Sequence, residues 1–312
     1  MASPEIVFPP LKLERPEEAH RLLEGGVDLH VHAGPSLIPR RLDAAEAALQ
    51  GAAAGLKAVL VKDHHLPTAR DVQYVRKYAL AADCHTEIYG AIALNHTVGG
   101  LNPYAVETSL AFGAKIVYLP TISSRAHHEH HQKSTVGVHF PATSKKLLEA
   151  ESIYLLDQDA QLPPVLELIL EIVRDAGAIL SLGHVSVKES LAVLGLAQRV
   201  DLKKIVVQHP TFIINANDAE MLHFVRLGAR VEFSASMSDP RSKFYYIPIP
   251  ELARLIRLLG VSNCFLGSDL GQHDTPPFIE GLMTVIDGLL GQGFAPAEIR
   301  SLFSETATGL LC

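Results

Sequence analysis

Eight short apolar runs, separated by stretches of helical periodicity, restrict what this chain can fold into more than any other feature. The runs are residues 27–32, 57–64, 87–94, 114–121, 178–184, 204–210, 230–234 and 263–269. Helical stretches fall between them at 43–55, 67–82, 103–112, 163–176, 187–199, 217–227 and 250–260. A short helix at 16–24 precedes the first run, and two more at 277–291 and 295–311 follow the last. Pro16, Pro67 and Pro103 stand where helices open, Asp43 offers an N-cap, and Gly55 offers a stop. Strict strand–helix alternation implies parallel strands joined by right-handed crossovers. Eight such units in roughly 250 residues predict a (β/α)8 TIM barrel. The rival, a doubly wound open sheet, lacks a Gly-x-Gly-x-x-Gly after its first strand. The even rhythm breaks once, at 122–162 after strand four, where a long insertion reads as a loop or lid on the active-site face. The chain, 1–312, is read as a single domain.

Composition narrows the function classes. With 312 residues, 48% of them hydrophobic, the chain can bury a large core. A net charge of −7 and the lack of a basic run argue against nucleic acid as a partner. Three cysteines (Cys84, Cys264 and Cys312) without a Cys-x-x-Cys point to a reducing compartment and away from a thiolate metal site. Met1 to Pro10 lacks the pattern of a secretory signal, and no apolar stretch reaches the ~20 residues of a membrane span. These features predict a soluble, cytoplasmic protein with no membrane partner.

The polar residues at the strand ends carry the chemistry. In the first run, Val27, Leu29 and Val31 are expected on one face, and Asp28, His30 and His32 on the other. Ala33-Gly34-Pro35 then breaks the strand. Two imidazoles one pleat apart at a strand end suit a shared metal ion. Later runs end in Lys62 and His64, His96, His184, His209 and Asp269. Parity places Ala178, Leu180, Leu182 and His184 on one face, and likewise Asn263, Phe265, Gly267 and Asp269. A barrel gathers strand ends at one mouth, which predicts a centre for a divalent metal ion there, zinc or manganese, one or two per chain.

These pieces resemble the amidohydrolase superfamily of metal-dependent hydrolases. The matching segments are Asp28-Leu-His-Val-His32, Gly183-His184, Gln208-His209-Pro210 and Ser268-Asp269, in the order that the superfamily shows. Further segments resemble an uncharacterised bacterial branch: Lys62-Asp-His-His-Leu-Pro-Thr68, Leu94-Asn-His-Thr-Val-Gly-Gly-Leu-Asn-Pro103, Leu119-Pro-Thr121 and Ser268-Asp-Leu-Gly-Gln272. The resemblance implies metal ligation by His30, His32, His184, His209 and Asp269. Two-metal members commonly carry a carboxylated Lys or a Glu at the end of strand four, but here that strand ends Tyr118-Leu119-Pro120-Thr121. Lys62 is the substitute available at the mouth. It either becomes a carboxylated metal ligand, with two ions, or remains an ammonium paired with Asp269 or the substrate, with one.

The implied activity is hydrolysis of an amide, lactam, imide or ester in a small molecule by metal-activated water, with Asp269 as general acid/base. A metal-dependent decarboxylase, a phosphoesterase and a non-catalytic metal-binding protein are the alternatives. His64, His96, Arg125 and Glu232 are candidate substrate contacts. The run Arg125-Ala-His127-His128-Glu129-His130-His131-Gln-Lys133 reads as part of a mobile lid that supplies Arg125 or a His. Val136–Phe140 and Ile153–Leu156 pair as a small hairpin or serve a homo-oligomer contact.

Overall fold

The computed structural model describes residues 8–81, 84–133, 143, 145–148 and 150–312. Eight parallel strands form one sheet in sequence order: β1 (Val27–His32), β2 (Ala58–Lys62), β3 (Glu87–Ala93), β4 (Ala114–Tyr118), β5 (Ile179–Ser181), β6 (Ile205–Gln208), β7 (Arg230–Ser234) and β8 (Cys264–Gly267). The sheet closes beyond β8. Val31 pairs in parallel with Leu270, the Asp269 N–H donates to the His30 carbonyl at 2.7 Å, and the His32 N–H donates to Leu270 at 2.8 Å. The fold is a (β/α)8 barrel.

The helices follow the expected alternation: α1 (Pro16–Leu23), α2 (Ala44–Ala53), α3 (Ala69–Tyr78), α4 (Pro103–Ala111), α5 (Arg125–Lys133), α6 (Pro164–Asp175), α7 (Val187–Arg199), α8 (Asp218–Arg226), α9 (Ile249–Leu259), α10 (Phe278–Gly291), α11 (Pro296–Arg300) and α12 (Thr306–Leu311). Asp43 caps α2 in a reciprocal box with Glu46, both hydrogen bonds at 2.8 Å. The final expected helix is interrupted by a π-helical segment at Ser301–Glu305 between α11 and α12. The insertion after β4 contains α5, and Ser124 forms a parallel bridge with Ile153. Residues 136–140, half of the hairpin expected there, lie outside the described residues.

Side chains of the two sheet faces separate into two apolar clusters. Val27, Leu29, Leu60, Ile116, Tyr118 and Phe265 fill the barrel interior. Val31, Val59, Val61, Val117, Leu180 and Leu266 pack outward against the helices. Leu29 and Val31 therefore lie in different clusters, which corrects the simple alternation expected for β1. Asp28 pairs with Val59 and Val31 with Val61, so Leu29 and His30 together face Leu60 alone. That β-bulge resets the parity: Leu29 still points inward below it, and His30 and His32 point inward above it. Asp28 falls outside the pattern and accepts from the backbone N–H groups of His30 and Ser268, each at 3.0 Å, which ties β1 to the end of β8.

A second correction concerns His184. Leu180 and Leu182 belong to the outward cluster, so parity alone would turn His184 away from the axis. The chain turns at Gly183, whose φ is +58°. A Cβ there would stand 2.2 Å from the Leu119 carbonyl oxygen, so only glycine fits. The turn delivers the His184 ring to the mouth.

Candidate metal centre

The mouth of the barrel holds an imidazole-rich cavity with about 410 Å³ of empty space, part of it open to solvent. His32, Lys62, His64, His184, His209 and Asp269 all line it. His30 lies directly beneath. Its Nε2 is 3.1 Å from Asp269 Oδ1 and 3.0 Å from Lys62 Nζ. His32 Nε2 approaches the same Asp269 oxygen at 3.0 Å. Among the described residues, His30, His32 and Asp269 are the one group of three or more His, Cys, Asp or Glu whose ligand atoms all lie within 4.8 Å of one another. His184 and His209 stand farther around the cavity, with ring centroids 5.0 Å apart.

The backbone that presents these groups is unusual. His209 and Asp269 both have positive φ, +27° and +50°. Non-glycine residues rarely adopt such values, and the cost of about 1–3 kcal/mol is tolerated where surrounding structure imposes it. Here the His209 N–H donates to the Glu232 carbonyl and the Asp269 N–H to that of His30, so neighbouring strands hold both bends.

Glu232 and His30 form a pair that fixes a tautomer. His30 Nδ1 lies 2.6 Å from Glu232 Oε1, with both side chains buried. Gln208 and Ser234 donate further hydrogen bonds to the Glu232 carboxylate, each at 3.3 Å. A carboxylate only accepts, which assigns the His30 proton to Nδ1 and leaves the Nε2 lone pair facing the cavity. That lone pair faces a second acceptor, Asp269 Oδ1. Two acceptors 3.1 Å apart need positive charge beside them. In this structure the Lys62 ammonium, whose Nζ also lies 4.3 Å from the centre of the Tyr118 ring, provides it. The donor set, two imidazoles and a carboxylate with one imidazole oriented from behind by a carboxylate, fits a divalent cation.

Electrostatics agree with that fit. Burial draws His32 down to about 3 and His209 to about 4, and holds His64, His127 and His184 well below the usual imidazole range. Neutral imidazole is the ligand form. Burial opposes ionisation of Asp269, but His30, His32 and His209 outweigh it and hold the carboxyl well below the usual carboxylate range. Burial lowers Lys62 to about 8, against the opposing pull of Asp269 and Glu232.

Three candidate substrate contacts are placed elsewhere than expected. Glu232 is turned under His30 and does not line the cavity. Arg125 is exposed on α5, paired with Glu129 at 2.8 Å and set over the Tyr154 ring. Its helix turns other side chains inward. His96 is exposed and does not line the cavity; its Nε2 lies 2.6 Å from the Glu151 carbonyl oxygen. His64 does line the cavity and holds Thr121 Oγ1 at 3.0 Å.

The run expected to supply Arg125 or a His lines the cavity with two rings of α5, that of His131 and, against His184, that of His127. His127 Nδ1 is 3.0 Å from His184 Nδ1, and the rings are stacked at 5.1 Å. Ser124 fixes the contact by donating to the His184 carbonyl while accepting from the His127 N–H. A run of four imidazoles in five residues announces a cluster but does not indicate which rings face inward. Phe212, Ile213, Met237 and Phe244 form an apolar wall opposite the polar groups.

Comparisons with solved structures match the whole fold. An amidohydrolase from Pseudomonas aeruginosa superposes with a TM-score of 0.57 at 15% identity, over 95% of this chain and 98% of that one. A probable dipeptidase, PvdM, from the same organism gives 0.60 at 13% identity, over 96% and 97%. A 2,6-dihydroxybenzoate decarboxylase from Rhizobium gives 0.54 at 12% identity, over 92% and 98%. At these identities the likeness is one of fold. No curated protein matches the sequence. Residues 25–232 match the family model described as "Family of unknown function (DUF6282)", and the chain belongs to that family.

Proposed function

We propose that the barrel mouth binds a divalent metal ion, zinc or manganese, and that the protein hydrolyses a C–N bond, less favourably an ester, in a small molecule. The observation that carries this reading is the convergence of His30 Nε2 and His32 Nε2 on one oxygen of Asp269, with the far nitrogen of His30 held by Glu232. His184 and His209 complete the ligand set from the other side of the cavity.

A divalent ion bound here supplies Lewis acidity toward a substrate carbonyl and lowers the pKa of a bound water. The chain supplies the rest. Asp269 is held ionised, and among the described residues its Oδ2 is engaged only by Ser236 Oγ at 3.2 Å. That oxygen takes a proton from water and returns it to the leaving nitrogen, which departs as a neutral amine. The neutral imidazoles of His64 and His127 face the same space and orient polar groups of the substrate. The apolar wall of Phe212, Met237 and Phe244 accepts its non-reacting part and keeps water out.

Lys62 sets the number of ions. As an ammonium it occupies the place beside His30 Nε2 and Asp269, and one ion binds on displacing it. As a carbamate it adds two anionic oxygens, and two ions bind. The names of the amidohydrolase and the dipeptidase of like fold are in keeping with C–N hydrolysis, and that of the decarboxylase with the alternative. The test is metal analysis of the purified protein followed by a panel of amides, lactams, imides and esters. Turnover of an amide or lactam with water uptake supports the proposal. Turnover confined to carboxylic acids, with release of carbon dioxide, overturns it in favour of a decarboxylase.

A further inference from the structure

A buried guanidinium beside the mouth lacks the hydrogen bonds that such a group needs. Arg40 lies in the segment between β1 and α2, and its side chain is 4% exposed. Its Nε and Nη2 are buried without a hydrogen-bond partner among the described residues. Its nearest anion is Asp63, with Oδ2 a long 3.5 Å from Nη2. Asp63 is already committed elsewhere: Oδ2 accepts from Ser36 Oγ at 2.5 Å, and Oδ1 from the His65 and Leu66 N–H groups at 2.8 and 3.1 Å. Asp63 thus balances the charge of Arg40 without filling its donors. Leaving charged donors buried and unpaired is strongly unfavourable, so the arrangement calls for a further anion.

Position and geometry say which kind. The Arg40 backbone forms an antiparallel bridge with Gln272, which lines the metal cavity, and the Arg41 N–H donates to the Gly271 carbonyl. Its positive charge is, after burial, the strongest influence lowering His32. Nε and Nη2 are the two donors on one edge of the guanidinium plane, the parallel fork that a carboxylate fills with two hydrogen bonds.

We infer that Arg40 receives a carboxylate of the substrate, so that the molecules turned over are amides or lactams bearing a free carboxylate close to the bond cleaved. The part concerning cleavage rests on the hydrolase reading above; the anion site does not. A carboxylate clamped there fixes the substrate at one end, with its reacting carbonyl directed to the metal site that His32 and Asp269 would form.

The experiment is a calorimetric titration of the full-length protein, as purified, with succinate at constant ionic strength, with metal content measured on the same samples. Inorganic phosphate is titrated in parallel. Wild type binds succinate; Arg40→Gln and Arg40→Lys bind it at least tenfold more weakly with metal content unchanged. Arg40→Lys keeps the charge opposite Asp63, so it reads the loss of the fork even if Arg40→Gln fails to fold. Succinate binding unchanged in Arg40→Lys overturns the inference, because the carboxylate then sits on the metal or elsewhere. Absence of succinate binding in wild type overturns it too, as does metal loss in Arg40→Lys. Phosphate that binds more tightly than succinate and depends on Arg40 overturns the choice of carboxylate. Wild type without metal that still binds succinate through Arg40 refutes the hydrolase reading and leaves the anion site standing.

Discussion

Replacing Glu232 by Gln isolates the group that orients His30. The substitution keeps size and one accepting oxygen, but removes the negative charge 2.6 Å from His30 Nδ1. Both side chains are buried, so solvent does not screen the loss. The charge-assisted bond becomes a neutral one of about half the strength, and the Nε2 lone pair becomes a poorer donor. Gln208, now opposite an amide, also loses its carboxylate acceptor. Removing such an orienting carboxylate typically weakens metal binding by about 10–100-fold, or roughly 1.4–2.8 kcal/mol. The assay is competition for zinc between the protein and a chromogenic chelator at fixed pH. Wild type and Glu232→Gln should differ by one to two decades with little change in far-ultraviolet circular dichroism. Equal affinities within about twofold would refute the reasoning, because His30 would then need no partner behind it.

Asp269→Asn should keep its fold and some metal while kcat on whichever substrate the panel identifies falls about 100-fold or more, since an amide cannot take the proton; near wild-type turnover would move the base elsewhere. Lys62, drawn by burial to about 8, gains its neutral amine form as pH rises through that value. Carbamate formation requires that form, so if Lys62 is the carbamate, incorporation of labelled bicarbonate should increase from pH 7 to pH 9, and Lys62→Ala should show none and lose one metal equivalent; unchanged metal content in Lys62→Ala assigns Lys62 as the ammonium. Gly183→Ala should lower Tm by several degrees and weaken metal binding, because the αL penalty of about 1–2 kcal/mol is joined by overlap with the Leu119 carbonyl. Burial pushes the Cys264 thiol up to about 12, so it should resist thiol reagents at pH 8 in native protein and react once the protein is denatured, whereas exposed Cys312 reacts at once.

The strand order and barrel closure were legible because short apolar runs alternate with capped helices, as the Asp43–Glu46 box illustrates. Which side each residue faces was less so. Every residue of β1 is buried, and its strict alternation Val-Asp-Leu-His-Val-His reads as two uniform faces, which hides the bulge at Leu29–His30. Parity does not explain His184 at the mouth: it points outward, and the turn at Gly183 reverses it. A glycine directly before a candidate ligand was the available signal. Glu232 is expected among the substrate contacts and not as the partner of His30, since that contact spans 202 residues and depends on barrel closure. Arg40 left no periodic trace at all, because it sits in an irregular segment between two elements. Its significance appears only when the partners of Asp63 are counted.

Metal content per chain, measured by mass spectrometry on wild type and His30→Ala after loading with zinc and removal of excess by gel filtration, tests the central claim most directly. The account predicts about one or two tightly held divalent ions in wild type and loss of most of that metal in His30→Ala, since the variant removes one ligand from the buried group of His30, His32 and Asp269 on which the site is built. Wild type that retains no divalent ion, or a folded His30→Ala that retains as much as wild type, would contradict it.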